Sequence, residues 1–364
     1  MKRNPSVELM RIIACLIVLA CHCNFLLPSN DVNPFFHKYV SAMICDGVSI
    51  FWMITGFFIF NNKSYKKLWL HFLTKVFVPM LLLFIVDLLF EDFLLSKCSL
   101  TESLSNGLHQ ISDYVLSTIQ LKSPSSTMDH TWYVFAYLLI IIIFPLLKAF
   151  ADYIKEDSVK QKVFMILSLV IWVANDALAN NLLDFGFHGS HVIIPSSLLV
   201  IWGYLIYEHR ELLSKKVTRI ASLVAFLLVN LLRAFLSHLT DINIFVDYSN
   251  LNVWYSVFGL INAILIISFC LSTINSDTVS IGGKAICFIA SFTYGIYLIH
   301  PLVQEGAFHL GFFDYLYELL AGMPSWAYYI IALLLCALLS FIVCFLICLI
   351  LRPFKKLFGL LKKK

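Results

Sequence analysis

The chain has 364 residues, 60% of them hydrophobic and 13% charged, with a mean hydropathy of +0.86. No soluble domain needs that much apolar surface, and the runs recur at spanning length, which excludes a water-soluble enzyme and points to a polytopic membrane protein. The formal net charge of +4 says little by itself, marks no nucleic-acid partner, and matters through where the charges lie.

Met1-Lys2-Arg3 resembles the basic start of a signal peptide, but no small-residue cleavage site follows, so the first apolar run is expected to be a retained span. Spans are expected near 8–27, 41–61, 69–90, 131–150, 162–178, 192–208, 217–237, 251–273, 285–305 and 326–351. With the N-terminus in the cytoplasm, inner loops and ends hold Lys2, Arg3, Lys63, Lys66, Lys67, Lys155, Lys160, Arg210, Lys215, Lys216, Lys284 and the tail from Arg352 to Lys364. Outer loops hold Lys38, Lys97 and Lys122, and this asymmetry follows the positive-inside rule. The expected fold class is therefore all-α and polytopic, with about ten transmembrane helices and both termini cytoplasmic. A single membrane domain covers 1–351, with a long extracytoplasmic loop at about 91–130 and a basic cytoplasmic tail over 352–364. Within that loop, Leu104 to Leu116 has apolar residues at helical spacing, which predicts a short helix on the membrane surface. Ser123-Pro124-Ser125-Ser126-Thr127 then reads as loop. Lys362-Lys363-Lys364 reads as an orientation signal or a contact with anionic lipid of the bilayer. Rossmann and P-loop glycine patterns are lacking, so any chemistry is expected within the bundle.

The first span carries Arg11 and His22 inside an otherwise apolar run. Eleven residues apart on a helix, they point the same way, about 20° off three full turns and roughly 16 Å apart along the axis. Ionisable groups in a span are costly and by default mark a functional site. Asp46 in span two, His300 in span nine, His130 and Trp132 opening span four, Arg233 in span seven and Glu305 ending span nine fall at similar outer depth. Arg11 and Lys75 form an inner basic layer beside Thr55-Gly56. Cys21-His22-Cys23 has ligand chemistry, but successive helical residues point about 100° apart and cannot converge on one ion, so no metal site is expected. The ten cysteines lie mostly in apolar runs and imply no disulfide framework.

Several blocks resemble the acyltransferase 3 family of integral-membrane acyltransferases. They are Arg11 to His22, Phe51-Trp-Met-Ile-Thr-Gly-Phe-Phe58, Lys75-Val-Phe-Val-Pro79, His130-Thr-Trp-Tyr-Val-Phe135 and Ser291-Phe-Thr-Tyr-Gly-Ile-Tyr-Leu-Ile-His-Pro301. The resemblance runs through essentially the whole chain, in order. It implies transfer of an acyl group, usually acetyl, from a cytoplasmic acyl-CoA to a hydroxyl of a cell-surface glycan or its lipid-linked precursor, in the bacterial inner (plasma) membrane. Acetyl-CoA would be the donor substrate, with no permanently bound cofactor; a second copy of the chain is a further candidate partner. Span two departs from the family's pattern, with Thr55 before Gly56 where serine is usual and Ser49 where many members have aspartate. The basic pair often seen in span three is reduced to Lys75. The absence of an appended hydrolase-like domain is similar to stand-alone members that modify surface polysaccharides.

The chemistry gives each residue a role beside a plainer one. A neutral His22 imidazole suits a general base that takes the sugar hydroxyl's proton, whereas a histidine can also serve as packing glue between helices. Asp46 suits the partner that orients that imidazole, or a polar cap near a helix end. Arg11 suits bidentate binding of CoA phosphate, or an i,i+3 pair with Glu8. Lys75 suits the same donor, or snorkels to the interface. His130, Trp132, Tyr297, His300, Arg233 and Glu305 are the expected acceptor-side residues; His300 with Tyr294 and Tyr297 either lines that side or braces its helix, and Trp132 suits a sugar face or an aromatic belt. A transporter or exporter of a glycan or small polar solute, with these groups as its permeation site, is the alternative.

Overall fold

The computed structural model describes residues 4–27, 32–60, 64–89, 129–177, 190–239, 256–273, 280–320 and 322–360, with isolated positions between 99 and 116. Among the described residues helices dominate and no strand occurs. A chain of apolar runs folds this way because a helix pairs its backbone polar groups within one segment, as a bilayer requires. In chain order the first helices are α1 (Pro5–Leu26), α2 (Pro34–Ile44), α3 (Gly47–Ile59), α4 (Tyr65–Phe72) and α5 (Val78–Leu89). Next come α6 (Trp132–Ile142), α7 (Phe144–Lys155), α8 (Ser158–Ala177), α9 (Ser190–Glu208) and α10 (Arg210–Leu213). The last are α11 (Lys216–Leu239), α12 (Val257–Thr273), α13 (Ile281–Ala290), α14 (Thr293–His309), α15 (Phe312–Leu319) and α16 (Ser325–Leu360). The surface helix expected over 104–116 lies mostly outside the described residues; Ser105, His109, Ser112 and Leu116 are described, and all four are helical and exposed. The Lys362–Lys364 run also lies outside them.

Among the described residues, four helical stretches are long and apolar enough to cross a membrane: Pro5–Asn24, Pro34–Ile59, Lys216–Leu239 and Ser325–Ile350. The number rises to six if each of two bent pairs, α6 with α7 and α13 with α14, is one span. Spans expected to be continuous near 131–150 and 285–305 are therefore bent, and each bend has a local cause. Between α6 and α7 the bend is 67°, and Pro145 has no N–H to give the carbonyl of Ile141. Between α13 and α14 the bend is 54°, and hydroxyls cap the carbonyls that end α13. Ser291 Oγ donates to Phe288 O at 2.6 Å, and Thr293 Oγ1 to Ala290 O at 3.0 Å. Pro34–Ile59 remains one stretch, interrupted locally at Cys45–Asp46 between α2 and α3.

The helices form two compact units, Met1–Ile54 with Glu208–Lys364, and Thr55–Tyr207. In the first, α1 is the hub, packing on α2, α12, α13, α14 and α16. Its N-terminus is built locally: Pro5 supplies a helical φ at the first turn, and the Asn4 side chain accepts from Ser6 N at 2.9 Å. Where α1 meets α2, α15 and α16, Ala20, Cys23, Phe313, Tyr329, Ala332 and Cys336 form one buried cluster. Gly47 lets α3 approach α1 closely, since a Cβ there would lie 2.8 Å from a Val18 methyl and 2.9 Å from Ala14 O.

In the second unit, α4 and α5 are joined through a π-helical turn, Leu73–Phe77, in which Val78 N–H reaches Leu73 O five residues back. Pro79 lies just beyond it and cannot donate to Lys75 O, so the turn widens before the proline instead of clashing with it. Gly56 meets α9 backbone to backbone, because a Cβ there would sit 1.9 Å from Val200 O. The Thr55-Gly56 pair read from sequence thus has a packing reason for its glycine.

Candidate functional site

The face of α1 that carries Arg11 and His22 lies within the first unit, and the unbroken helix keeps the roughly 16 Å between them. At its N-terminal end Arg11 Nη1 meets Glu8 Oε2 at 3.3 Å, the i,i+3 pair anticipated from sequence. Glu8 is nearly buried at 5% side-chain exposure, while Arg11 keeps 30% of its side chain exposed. Toward the other end the half-buried His22 ring lies against that of buried His300, centroids 4.8 Å apart and edge to face.

Helix α14 presents His300 there through a proline. Pro301 cannot donate to the carbonyl four residues back, that of Tyr297, and His300 Nδ1 lies 2.6 Å from that oxygen. One turn on, Gln304 Nε2 donates to Leu19 O at 3.2 Å and to Cys23 Sγ at 3.1 Å, on either side of His22 along α1. Gln304 therefore ties α14 to α1 beside the two imidazoles, a contact that no local pattern in the sequence signals. Tyr297 and Tyr294 continue the ring contacts along α14, with centroids 6.0 Å from His300 to Tyr297 and 6.3 Å from Tyr297 to Tyr294. Glu305 is half-buried and pairs with His309 Nε2 at 3.8 Å on its own helix.

Asp46 sits in the break between α2 and α3, and the structure gives it to Arg233. Arg233 Nη1 lies 2.8 Å from Asp46 Oδ2, with side-chain exposures of 0% and 2%. The same nitrogen lies 3.0 Å from Cys45 Sγ and 3.5 Å from Ala42 O, and Nη2 lies 3.4 Å from Ser256 Oγ. The arginine of α11 thus supplies a donor to Ala42 O, a carbonyl of the last turn of α2 before the break. Asn262 Nδ2 also donates to Asp46 Oδ2 at 2.7 Å and pairs with Asn230, Nδ2 to Oδ1 at 2.8 Å. Arg233 and Asn262 both meet Oδ2; among the described residues Oδ1 accepts no hydrogen bond. A periodic signal for this network was available, since Asn230 and Arg233 lie three residues apart on α11, and both are buried.

The remaining expected residues lie in the second unit. Lys75 is exposed and falls within the π turn Leu73–Phe77, a distortion that recurs at functional sites. Thr55 Oγ1 and Tyr133 OH are 3.4 Å apart. His130 lies in a short 3-10 turn, Asp129–Thr131, that leads into α6, and Trp132 opens that helix with its ring against Tyr133.

A family model described as an acyltransferase domain matches residues 4–349. No curated protein and no solved structure matches the chain.

Proposed function

The chain belongs to the acyltransferase 3 family, and on that premise we propose that this membrane acyltransferase moves acetyl from cytoplasmic acetyl-CoA to a hydroxyl of a cell-surface polysaccharide or its lipid-linked precursor. The observation that carries the proposal is the pair of imidazoles, His22 half-exposed and His300 buried, on the α1 face that also bears Arg11. A sugar hydroxyl is a poor nucleophile at neutral pH. His22 takes its proton as the oxygen attacks the thioester carbonyl; the C–O bond forms, the C–S bond breaks, and the proton passes from the imidazolium to the CoA thiolate. Arg11, still 30% exposed in its pair with Glu8, binds a CoA phosphate through its planar fork. The roughly 16 Å to His22 is comparable to an extended pantetheine arm.

Asp46 and Arg233 act from their ion pair, holding the α2–α3 break, while Tyr297, His300 and Glu305 belong to the acceptor side. The roles given to Lys75 at the donor and to His130 and Trp132 at the acceptor rest on the family resemblance alone. The loop charges support ten spans with both ends cytoplasmic, in a single membrane domain over 1–351 of a bacterial inner-membrane protein.

One observation favours a second reading, that of a transporter: the broken α2–α3 helix with a buried ion pair in the break resembles the discontinuous helices from which transport sites are built. Vesicles loaded with labelled acetyl-CoA separate the two. Label should appear on a glycan acceptor at the opposite face with no ion gradient, since thioester cleavage drives the transfer. His22→Ala, inserted at normal abundance, should lower that rate about 10²–10⁴-fold. Full transfer by His22→Ala removes the residue from the mechanism. Uptake of intact solute under an imposed gradient, with acetyl-CoA unconsumed, supports the transporter instead.

A further inference from the structure

A histidine followed by a proline inside a helix sets up a specific proton arrangement. In an uninterrupted helix the carbonyl of Tyr297 would accept from residue 301, but residue 301 is proline, with no N–H. A buried carbonyl without a donor is costly, and His300 Nδ1, at 2.6 Å, is placed to supply one. A carbonyl oxygen only accepts, so Nδ1 must carry the proton. The neutral ring then holds its lone pair on Nε2: the proline selects the tautomer. Asp46, the other group assigned to His22 from sequence, has given its Oδ2 to Arg233 and Asn262. The ring that lies on His22, at 4.8 Å between centroids, is that of His300.

We propose that His300 is the positioning partner of His22: pinned through Nδ1 to the Tyr297 carbonyl that Pro301 leaves without its helical donor, it presents the acceptor lone pair of Nε2 to the site and steadies the imidazolium that His22 becomes. The role is the one a carboxylate fills in a catalytic triad, carried here by a second imidazole of fixed tautomer. Gln304, one turn along α14, holds the two helices in register through Leu19 O and Cys23 Sγ, so the ring contact does not depend on the imidazoles alone. This inference rests on His22 as general base.

Two near-isosteres divide the ring's functions. The amide nitrogen of asparagine falls near the position of Nδ1, whereas the polar end of glutamine falls near that of Nε2. His300→Asn keeps the pin on Tyr297 and deletes Nε2; His300→Gln keeps a polar group at Nε2 and gives up the pin. In vesicles carrying the full chain, kcat for acetyl transfer should fall about 10²-fold in His300→Asn, with the apparent KM for acetyl-CoA unchanged. His300→Gln should retain more activity than His300→Asn. Solid-state NMR of histidine-¹⁵N-labelled protein in lipid, with the His300 signal assigned by its loss in His300→Asn, should place the proton on Nδ1. Pro301→Ala restores a backbone donor to Tyr297 and should let the Nε2–H form appear. Wild-type kcat in His300→Asn reduces the residue to a helix brace and overturns the proposal, as does a wild-type signal with the proton on Nε2. If His300→Asn does not accumulate, the signal is assigned by its loss in His300→Gln, and the wild-type and Pro301→Ala spectra decide. A wild-type protein that transfers no acetyl group, or a fully active His22→Ala, instead sinks the reading of His22 on which this inference rests.

Discussion

Two arginines of the first unit each meet a carboxylate, and the two pairs differ in almost every physical respect. Arg233 and Asp46 come from different helices, lie 2.8 Å apart and are closed off at 0% and 2% exposure. Arg11 and Glu8 are one turn apart on the same helix, 3.3 Å from each other, and the arginine keeps 30% of its side chain exposed. A fully buried pair costs its desolvation whether or not a ligand is present, so its partners cannot be spared for binding. A half-open pair on one helix has little to lose, because i,i+3 pairs contribute only a few tenths of a kcal/mol. That contrast suits the first arginine to holding the architecture and, on the function proposed above, the second to exchanging its partner for a phosphate.

The sharpest way to break this contrast is to remove the buried arginine. Arg233→Met leaves Asp46 as an uncompensated charge in the α2–α3 break and should destabilise the protein by about 3–5 kcal/mol. Abundance in membranes and thermal unfolding in detergent would both report it. Arg233→Met with Asp46→Leu removes both charges and should recover most of that loss, because a well-packed apolar pair replaces a buried ionic one at little cost. A double variant no better than Arg233→Met would mean that Asn262, Ser256 and the carbonyl of Ala42, rather than the ion pair, are what the arginine serves.

The same substitution logic applied to the open pair should move a kinetic constant instead. Arg11→Lys keeps the charge but loses the bidentate fork, so the apparent KM for acetyl-CoA should rise about tenfold with abundance unchanged. Unaltered donor dependence in vesicles would return Arg11 to a plain interfacial pair with Glu8.

How far the sequence anticipated this contrast depends on the distance over which each signal acts. The common face of Arg11 and His22 was legible because one helix period relates them, and the i,i+3 partner of Arg11 is equally local. Asp46 and Arg233 were legible only as residues of similar depth. Depth cannot say which polar group meets which, and His22 looked as suitable for Asp46 as Arg233 did. The breaks were hidden for a related reason. Hydropathy registers an apolar run, but a helix ends where another group supplies the donor, as Arg233 does at Ala42 or the Ser291 hydroxyl does at Phe288. The His300-Pro301 pair carried a local signal, since any proline frees the carbonyl four residues earlier. Its partner in space, His22, needed the packing of α14 on α1.

The smallest expected effect tests the open pair from its other side. Glu8 is nearly buried and competes with any phosphate for the guanidinium of Arg11. Glu8→Gln keeps the side chain's shape and an acceptor for Arg11 while removing the charge. If Arg11 exchanges Glu8 for a phosphate, the neutral partner should release it more readily, and the apparent KM for acetyl-CoA should fall by about 1.5- to twofold, the equivalent of the few tenths of a kcal/mol such a pair is worth. Stability should change by no more than about 0.5 kcal/mol, and kcat should stay as it is, because on the proposed mechanism the hydroxyl meets His22 and neither Glu8 nor Arg11. The direction separates the two roles of Arg11. A structural pair weakened by losing its charge should loosen the first turns of α1 and lower abundance with no gain in donor affinity. A rise in KM, or a fall in kcat at normal abundance, would mean that Glu8 holds Arg11 in the pose the donor needs, and that the open pair is as fixed in its partners as the buried one.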